Sequence, residues 1–530
     1  MKTNKVKKTN RTLLIIFISL LLIMVVMDLF LPKVNSISLS SENKLGYVVD
    51  LIKNQYVDEV NIDSLQDEAI RNFLDVLDPH SVYLTKEEIA KENEGLQGNF
   101  DGIGVQFRII EDTIVVVQPI VGGPSAKAGI MAGDRIVKVN DSIVCGKNIT
   151  NEDVFKLLKG KRGTKVKLAI KRSDSEKLLH FTIKRDEIPI HSVEYSGMIN
   201  SKIGYIKLSQ FSASSHKEVY QALIDLKEKG MQELIFDLRG NGGGYLDAAI
   251  NIADEFLPEG DLIVFTQGRA KGRQDYYASK KGNFEKGKLI VLIDEVSASA
   301  SEIVAGALQD NDRATIVGRR TFGKGLVQEQ KQMLDGSVVR LTVSRYHTPS
   351  GRCIQRPYTM GDNEKYYIDF ISRYEEMEKN TDTISHADSL KYKTKKGRIV
   401  YGGGGIEPDK ELSYNLYKRS ESYSLLIRKG LIYKYCFDYL DKHRNEFTQF
   451  TSGEKFLNEF TVSEKMYKEM LNFALPEGVN TSSISEKEKK EIKLLIKSYF
   501  AQNIYGDEYF YKLYLQIDDD VQKVLKTKEL

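Results

Sequence analysis

A serine-rich turn between a strand and a helix, followed by a glycine-rich loop that carries a lysine, constrains this chain most; both lie within residues 291–328. Val291–Val296 is an apolar run of the length and composition typical of a strand. Small residues follow, and Glu302 then begins a helical spacing of apolar side chains. The loop Thr321–Gly325 contains Lys324. Strands and helices that alternate in this way predict an α/β region.

The serine run and the lysine form a pair that could hydrolyse acyl bonds. A serine at a strand-to-helix turn lies where backbone N–H groups and the helix dipole favour an oxyanion. A lysine in a nearby apolar loop could lose its proton, because burial disfavours the ammonium form. Together they predict a Ser–Lys hydrolase, which is a known variant of the serine triad.

Two other interpretations compete for the same residues. A serine before a helix is often only an N-cap, and most lysines are exposed to solvent. Gly318–Lys324 also fits the GxxxxGK pattern of a phosphate-binding loop. However, Gly325 occupies the position of the magnesium-binding Ser or Thr, and the residues that follow lead toward another strand. The nucleotide-binding interpretation is therefore disfavoured.

Several motifs occur in a fixed order and together resemble the C-terminal processing peptidases, also called tail-specific proteases. The segments SASASEI, GALQD and TFGKGLVQ carry the resemblance. It extends to DPHSVYL, DLRGNGGG, TPSGRCIQ and GGIEPD, at residues 78–84, 237–244, 348–355 and 404–409. The resemblance implies a layered ClpP/crotonase-like α/β protease domain. Strand-like runs that alternate with helical stretches, such as Ser215–Lys229 and Asp247–Phe256, are compatible with that fold.

The resemblance also implies the catalytic residues. It places the nucleophile at Ser299, the middle serine of SASAS, and the general base at Lys324. Gln328 matches a glutamine that orients the lysine. The implied oxyanion donors are the backbone N–H groups of Gly243 and Ala300, as glycines let the backbone approach a substrate oxygen.

Asp310 matches an aspartate of this family to which a charge-relay role is sometimes given. Neither a metal nor another cofactor is predicted. No HExxH, paired-cysteine or GxSxG motif is present, which disfavours metalloproteases and ordinary α/β-hydrolases. The odd number of cysteines argues against a disulfide framework.

Residues 98–184 resemble a PDZ domain. The segment GNFDGIGVQF supplies a glycine-rich loop that leads into a strand at Val105–Phe107, and Asn151–Lys159 is predicted to be the helix that closes the groove. The resemblance implies that the loop binds a peptide carboxylate and that the strand pairs with the peptide by β-augmentation. The residues involved are Gly102, Ile103, Gly104 and Val105. A β-hairpin domain without a ligand is the alternative.

Basic residues precede an apolar run at Leu13–Leu31, which as a helix would span about 29 Å and so match a bilayer core. No cleavage site follows, so an uncleaved signal anchor is predicted, with the remainder of the chain exported. The predicted location is the bacterial inner membrane, single-pass, with the catalytic part in the periplasm or extracytoplasmic space. The near-neutral net charge of +3 and the lack of a basic stripe argue against nucleic-acid binding.

The predicted fold class is multidomain α+β, in five segments. These are residues 1–35 (cytoplasmic stub and signal anchor), 36–95 (helical), 96–187 (PDZ), 188–412 (Ser–Lys protease) and 413–530 (helical extension). The predicted function is an envelope serine endopeptidase that binds free protein C-termini and forms an acyl-enzyme. The expected partners are substrates with free C-termini, the membrane, and another copy or an adaptor bound to the helical segments. A catalytically silent PDZ scaffold or adaptor is the alternative.

Overall fold

The structure is a computed structural model and describes residues 44–173, 175–280, 282–378, 388–412 and 419–526. The predicted signal anchor at residues 13–31 lies outside the described residues. Among the residues that are described, no helix has both the length and the apolar character needed to cross a bilayer. The described residues divide into two units, with the boundary between Asn72 and Phe73.

The first elements are mostly helical. They are α1 (Lys44–Gln55), α2 (Ile62–Asp75), β1 (Val82–Leu84) and α3 (Lys86–Gln97). The segment 36–95, predicted to be helical, also contains the short strand β1, whose valine, tyrosine and leucine pair antiparallel with residues 338–340. Thr85 begins α3 with a capping box to Glu88, which satisfies two backbone N–H groups at the helix start.

The next elements form the domain that resembles a PDZ domain in its sequence. They are β2 (Asn99–Gly102), β3 (Val105–Ile110), β4 (Thr113–Pro119), α4 (Pro124–Ala128), β5 (Arg135–Val139), β6 (Ser142–Ile143), α5 (Asn151–Leu158), β7 (Lys165–Lys171), β8 (Leu179–Lys184) and β9 (Asp186–Pro189). The main sheet has the order β3-β4-β5-β7-β8, with β6 paired to β5. β2 and β9 form a separate antiparallel ribbon where the chain enters and leaves the domain.

The region predicted to be the protease domain follows. Its elements are β10 (Val193–Met198), β11 (Ile203–Leu208), α6 (Ser215–Glu228), β12 (Glu233–Asp237), α7 (Leu246–Asp254), β13 (Leu262–Gln267), β14 (Gln274–Tyr277), β15 (Lys288–Ile293), α8 (Ala300–Asp310), β16 (Thr315–Gly318), β17 (Leu326–Gln332), β18 (Val338–His347), α9 (Asn363–Glu378), β19 (Lys391–Lys393), β20 (Ile399–Tyr401) and β21 (Lys410–Glu411). The helices predicted at 215–229 and 247–256 correspond to α6 and α7, with small shifts at their ends. The strand predicted at 291–296 ends at Ile293, because Asp294 begins a turn toward α8.

A six-stranded sheet forms the centre of this domain, in the order β10-β11-β12-β15-β16-β21. All neighbours from β11 to β21 are parallel, and β10 is an antiparallel edge. Helices α6, α7 and α8 bury apolar side chains against one face, as expected for a parallel sheet. The turns that follow β12 and β15 therefore lie at the same edge of the sheet, where parallel strands end.

A second sheet has the order β1-β18-β13-β14, and β17 pairs with β18. The long β17–β18 hairpin begins directly after the loop that contains Lys324. This hairpin brings the lysine loop, β1 and the motif before β1 together, although they are far apart in sequence.

The last region is helical. Its helices are α10 (Glu421–Arg428), α11 (Leu431–Phe447), α12 (Gly453–Glu459), α13 (Glu464–Ala474), α14 (Glu486–Tyr505), α15 (Asp507–Tyr514) and α16 (Asp519–Lys526). Helices α10–α15 share a core rich in aromatic residues. Phe437 of α11 packs on Val115 and Val117 of β4, and Asp441 pairs with Arg135 at 2.7 Å. The extension therefore packs against the PDZ domain.

Candidate active site

Ser299 occupies a strained turn between β15 and α8. Its φ is 56° and its ψ is −111°, a backbone conformation that L-residues rarely adopt. Its N–H donates to Oε2 of Glu302 at 2.8 Å. The side chain is partly exposed and lines a cavity of about 310 Å³. Contacts with the surrounding residues hold the backbone of this turn in its strained conformation.

Glu302 joins the serine turn to the lysine loop. Its Oε2 atom accepts from the N–H groups of Ser299 and Lys324, both at 2.8 Å. Its Oε1 atom accepts from Thr321 Oγ1 at 2.6 Å and from the Gly323 N–H at 2.7 Å. Burial raises the pKa of this carboxyl, and the four donors oppose the shift because they favour the carboxylate. The buried side chain thus fixes both loops by direct bonds.

Lys324 lies in the same cavity wall, half-buried. Its Nζ donates to Oε1 of Gln328 at 3.0 Å, and the Gln328 side-chain amide donates to the carbonyl oxygen of His80 at 2.6 Å. Burial lowers the pKa of Lys324, and the positive charge of Arg340 lowers it further; Glu302 is the largest opposing charge. These effects favour a lysine that can accept a proton.

Tyr346 holds the other side of the two loops. Its hydroxyl lies 3.2 Å from the carbonyl oxygen of Ser299 and also contacts that of Lys324. A hydroxyl has one proton, so it donates to one of these oxygens at a time. The ring is buried at the end of β18. Ser299 and Lys324 are therefore held both through their N–H groups and through their carbonyl groups.

The Ser299 and Lys324 side chains line one cavity but are not bonded to each other. Within the described ranges, no hydrogen bond joins Ser299 Oγ to Lys324 Nζ, and the ammonium donates to Gln328 instead. Arg340 also lines the cavity, where it is ion-paired with Glu92.

The oxyanion donors inferred from sequence lie beside the serine. No hydrogen bond is recorded within the described part of the chain for the N–H of Ala300, the first residue of α8. Gly243 is close enough that a Cβ added there would lie 2.8 Å from Ser299 Cβ and 3.0 Å from the Ala300 nitrogen. The N–H of Gly243, however, donates to Asn241 Oδ1 at 2.9 Å. In this arrangement Ala300 is available, whereas Gly243 would have to share or release its bond.

Asp310 does not belong to the site. It is the last residue of α8, which places it about 16 Å along the helix from Ser299. Its carboxylate pairs with Arg352 at 2.8 Å, and both side chains are fully buried. It also accepts from the N–H of Ser350 at 3.1 Å. This buried ion pair at the far end of α8 from the serine argues against a charge-relay role.

The residues assigned to peptide binding lie at one edge of the PDZ domain. Gly104 has a φ of 71°, which favours glycine, and its carbonyl oxygen accepts from the Ile120 N–H at 3.0 Å. Ile103 is buried in the domain core, and its carbonyl oxygen accepts from the N–H and hydroxyl of Ser125. Val105 begins β3, which within the described residues pairs only with β4. Gly102 ends β2 immediately before this turn. The other edge of β3 can therefore accept another strand.

No cluster of three or more His, Cys, Asp or Glu side chains suited to a metal occurs among the residues that the structure describes. Metal independence stays a prediction, and we include it in the test below.

Comparison with known proteins identifies the family. Residues 202–364 match peptidase family S41, residues 102–184 match a PDZ domain, and residues 422–506 match a family of unknown function, DUF8443. The chain is 38% identical over 318 residues to the carboxy-terminal processing protease CtpA of Bacillus subtilis (strain 168), covering 60% of this chain and 67% of that protein. This chain belongs to the carboxy-terminal processing proteases.

A second carboxy-terminal processing protease, from Bartonella bacilliformis, is 38% identical over 317 residues, which cover 59% of this chain and 72% of that protein. Among solved structures, the photosystem II D1 C-terminal processing protease is 26% identical with a TM-score of 0.36, covering 70% of this chain and 86% of that chain. Membership of this family makes the chain a serine-type peptidase with a PDZ domain.

Sequence reasoning on this carboxy-terminal processing protease missed several residues of the site. Glu302 was noted only as the start of a helix, although it directly follows the serine run. Tyr346 and Arg340 lie on a strand with no local sign of function. His80 belongs to the DPHSVYL motif, and its carbonyl oxygen, rather than its imidazole, accepts from Gln328. Backbone contacts of this kind leave no pattern in a sequence.

Proposed function

We propose that this protein is a serine endopeptidase in which Ser299 is the nucleophile and Lys324 the general base, and which selects substrates by their free C-termini. The observation that carries the proposal is the shared bond to Glu302 Oε2, which places both residues against one cavity. The lowered pKa of Lys324 supports a role as base. Membership of the carboxy-terminal processing proteases supports the substrate class.

The chemistry follows from the hydrogen bonds. Gln328 presents its Oε1 atom to Nζ because its amide nitrogen is held by the His80 carbonyl oxygen. A neutral amine that donates one N–H to Gln328 retains a lone pair. After rotation toward Ser299, this lone pair accepts the hydroxyl proton while Oγ attacks the peptide carbonyl.

The tetrahedral intermediate carries its charge on the former carbonyl oxygen. The N–H of Ala300 is the available donor, and the glycine-rich loop after Arg239 supplies a second when its bonds rearrange. The protonated lysine then gives its proton to the leaving amine, which leaves an ester on Ser299. Water hydrolyses this acyl-enzyme, again with Lys324 as base.

The PDZ domain provides the selection step. Its glycine-containing turn is suited to a carboxylate and the unpaired edge of β3 to an extended peptide. Across the groove, Phe107 of β3 and Phe155 of α5 meet edge to face at 5.5 Å. These apolar rings favour tails that end in apolar residues.

The cell-envelope location belongs to the same proposal. It rests on the basic residues and the apolar run of the N-terminal sequence, which suit a signal anchor. Separation of membrane and soluble fractions from cells that express the full chain tests it. Recovery of the intact chain in the soluble fraction would contradict the anchor.

The test of catalysis is cleavage of an unstructured protein with an apolar free C-terminus by the full chain in detergent, with a metal chelator present throughout. We expect the parent to cleave, and Ser299→Ala and Lys324→Ala to be inactive. Lys331→Ala, on the exposed part of β17, is the matched control and should cleave like the parent. Cleavage by Ser299→Ala equal to the parent would refute the nucleophile.

Recognition is tested separately from catalysis. The Ser299→Ala chain should bind a peptide with a free C-terminal carboxylate more tightly than the same peptide as its carboxamide. Equal binding of the two peptides would contradict recognition of free C-termini. Binding of free tails by a parent chain that never labels with a fluorophosphonate would favour the scaffold alternative.

A further inference from the structure

The glycine-rich loop beside Ser299 begins at an arginine with an unusual set of partners. Arg239 follows β12, and Gly240–Gly244 come directly after it. Its Nη2 atom lies 2.6 Å from Oδ2 of Asp237, a fully buried carboxylate at the end of that strand. Its carbonyl oxygen accepts from Lys207 Nζ at 2.8 Å. The position of the loop therefore depends on where this guanidinium is held.

Two aspartates of the C-terminal extension bind the other side of this guanidinium. Asp518 forms a bidentate pair, with Oδ1 3.0 Å from Arg239 Nη1 and Oδ2 2.9 Å from Nη2. Asp520 Oδ2 lies 3.3 Å from the same Nη1 atom. Parallel bonds of this kind fix orientation as well as distance. The two acidic side chains are at most 13% exposed, so water competes little for them.

Asp520 also reaches the lysine loop. The same Oδ2 atom accepts from Arg319 Nη1 at 3.1 Å, and Arg319 directly follows β16, five residues before Lys324. Arg319 Nε in turn donates to Glu295 at 2.8 Å, in the turn that leads to Ser299. One carboxylate oxygen thus joins the glycine-rich loop to the lysine loop, and through Arg319 to the serine turn.

The extension cannot easily move away from these loops. Val521 and Val524 of α16 pack on the face of the central sheet opposite α6–α8, where they share an apolar cluster with Tyr205 and Ile235. Asp518 caps α16 by accepting from the N–H groups of Asp520 and Val521. The aspartates are therefore presented by a helix anchored on the strands that carry the catalytic loops.

We propose that Asp518 and Asp520 are positioning residues for catalysis, which hold the glycine-rich loop and the lysine loop in the geometry that the reaction needs. The inference rests on the proposed function of Ser299 and Lys324 and extends it to a region for which family membership supplies no role. A preorganised donor set is effective only if its loops are fixed, since a misplacement of about 1 Å can cost about 100-fold in rate.

Asp519, which lies between Asp518 and Asp520 in the sequence, provides a matched control. Its carboxylate accepts from Arg419 Nη2 at 2.8 Å, and Arg419 also pairs with Glu491 within the extension. Loss of this carboxylate removes a charge from the same helix start without touching Arg239 or Arg319. Asp519→Asn should therefore reproduce the general effect on the helix but not the effect on the loops.

The experiment uses the full chain in detergent and compares Asp520→Asn and Asp518→Asn with Asp519→Asn. For the first two variants we expect kcat on the tail substrate to fall about 10- to 100-fold with KM unchanged, and the control to match the parent. Hydrogen–deuterium exchange in residues 240–244 and 319–325 should accelerate in the same two variants only. If kcat and exchange in these segments are unaltered in folded Asp520→Asn, the proposal is overturned.

Arg319→Lys covers the case in which the aspartate variants do not fold. Lysine keeps the positive charge but lacks the planar guanidinium whose separate N–H groups donate to Glu295 and Asp520. The same selective loss of kcat is therefore expected. The effects of Arg319→Gln and Asp520→Asn should also be non-additive; additive effects would overturn the link through Arg319. A parent chain without cleavage would refute the proposed function, whereas the exchange measurement reports on the positioning contacts alone.

Discussion

The side chain of Glu302 accepts a hydrogen bond from the backbone N–H of Lys324 at 2.8 Å, across 22 residues of sequence. The oxygen that receives it also receives the N–H of Ser299. A buried carboxylate thus contacts the backbone of both the proposed nucleophile and the proposed base.

Glu302→Gln should disrupt both loops. An amide has one acceptor oxygen in place of two, so two of the four donors would face an NH2 group. Hydrogen bonds to a charged group each contribute about 1.5–3 kcal/mol, so the free energy of unfolding should fall by about 3 kcal/mol or more. Urea denaturation measures this, and acylation by a fluorophosphonate should slow in parallel.

The control for Glu302→Gln is Glu329→Gln. Glu329 lies on β17 and pairs with exposed Lys271 at the surface. This variant should unfold at the same urea concentration as the parent. Equal stability of Glu302→Gln and the parent would mean that the four bonds do not hold the loops.

The pH dependence of the acylation rate should follow the ionisation of the Lys324 amine. The neutral amine is the active form, so the rate rises with pH through the lysine pKa, which burial and the Arg340 charge hold below the usual value. Arg340→Gln removes a positive charge and leaves Glu92 unpaired. Both changes raise the pKa of Lys324, so the rising limb should move to higher pH and the rate at neutral pH should fall severalfold.

Arg340→Lys is the matched variant for this measurement, because it keeps the charge beside Lys324. Its pH–rate profile should stay close to that of the parent. If the rising part of the pH–rate profile of Arg340→Gln coincides with that of the parent, Arg340 does not lower the pKa of Lys324.

Gln328→Glu should also move the rising part of the pH–rate profile, in this case through a direct charge contact with Lys324. The new carboxylate would stand where Oε1 now lies, 3.0 Å from Nζ, and would stabilise the ammonium. It would also lose the bond to the His80 carbonyl oxygen. We expect a lower kcat and a limb at higher pH, while Gln332→Glu at the far end of β17 changes neither. A parent-like profile would exclude a role in orienting the lysine.

Asp310→Asn distinguishes a structural from a catalytic aspartate. Its loss leaves Arg352 as a buried charge without this partner, which should cost about 3–5 kcal/mol in the free energy of unfolding. The folded fraction, counted by fluorophosphonate titration, should retain the parent kcat. A large loss of kcat per labelled site would restore the charge-relay interpretation.

The sequence allowed much of the organisation to be predicted. The PDZ and protease regions could be predicted from the resemblance of their motifs to known families. The helical extension and several strands and helices could be predicted from apolar periodicity and turn residues, because these act locally. The strand β1, which lies in a segment predicted to be helical, shows where local patterns fail. Three residues that pair with a strand more than 250 positions away carry too short a pattern to be distinguished from a helix.

What the sequence by itself determined is the kind of chemistry: a serine at a helix start, a lysine in a glycine-rich loop, and their order among the motifs of one family. Only the tertiary structure decided how these residues are held. Glu302 between two loops, Asp310 at the far end of its helix, and Asp520 beside Arg239 are consequences of packing between distant segments. Such contacts depend on where buried surfaces place a side chain, which no local spacing encodes.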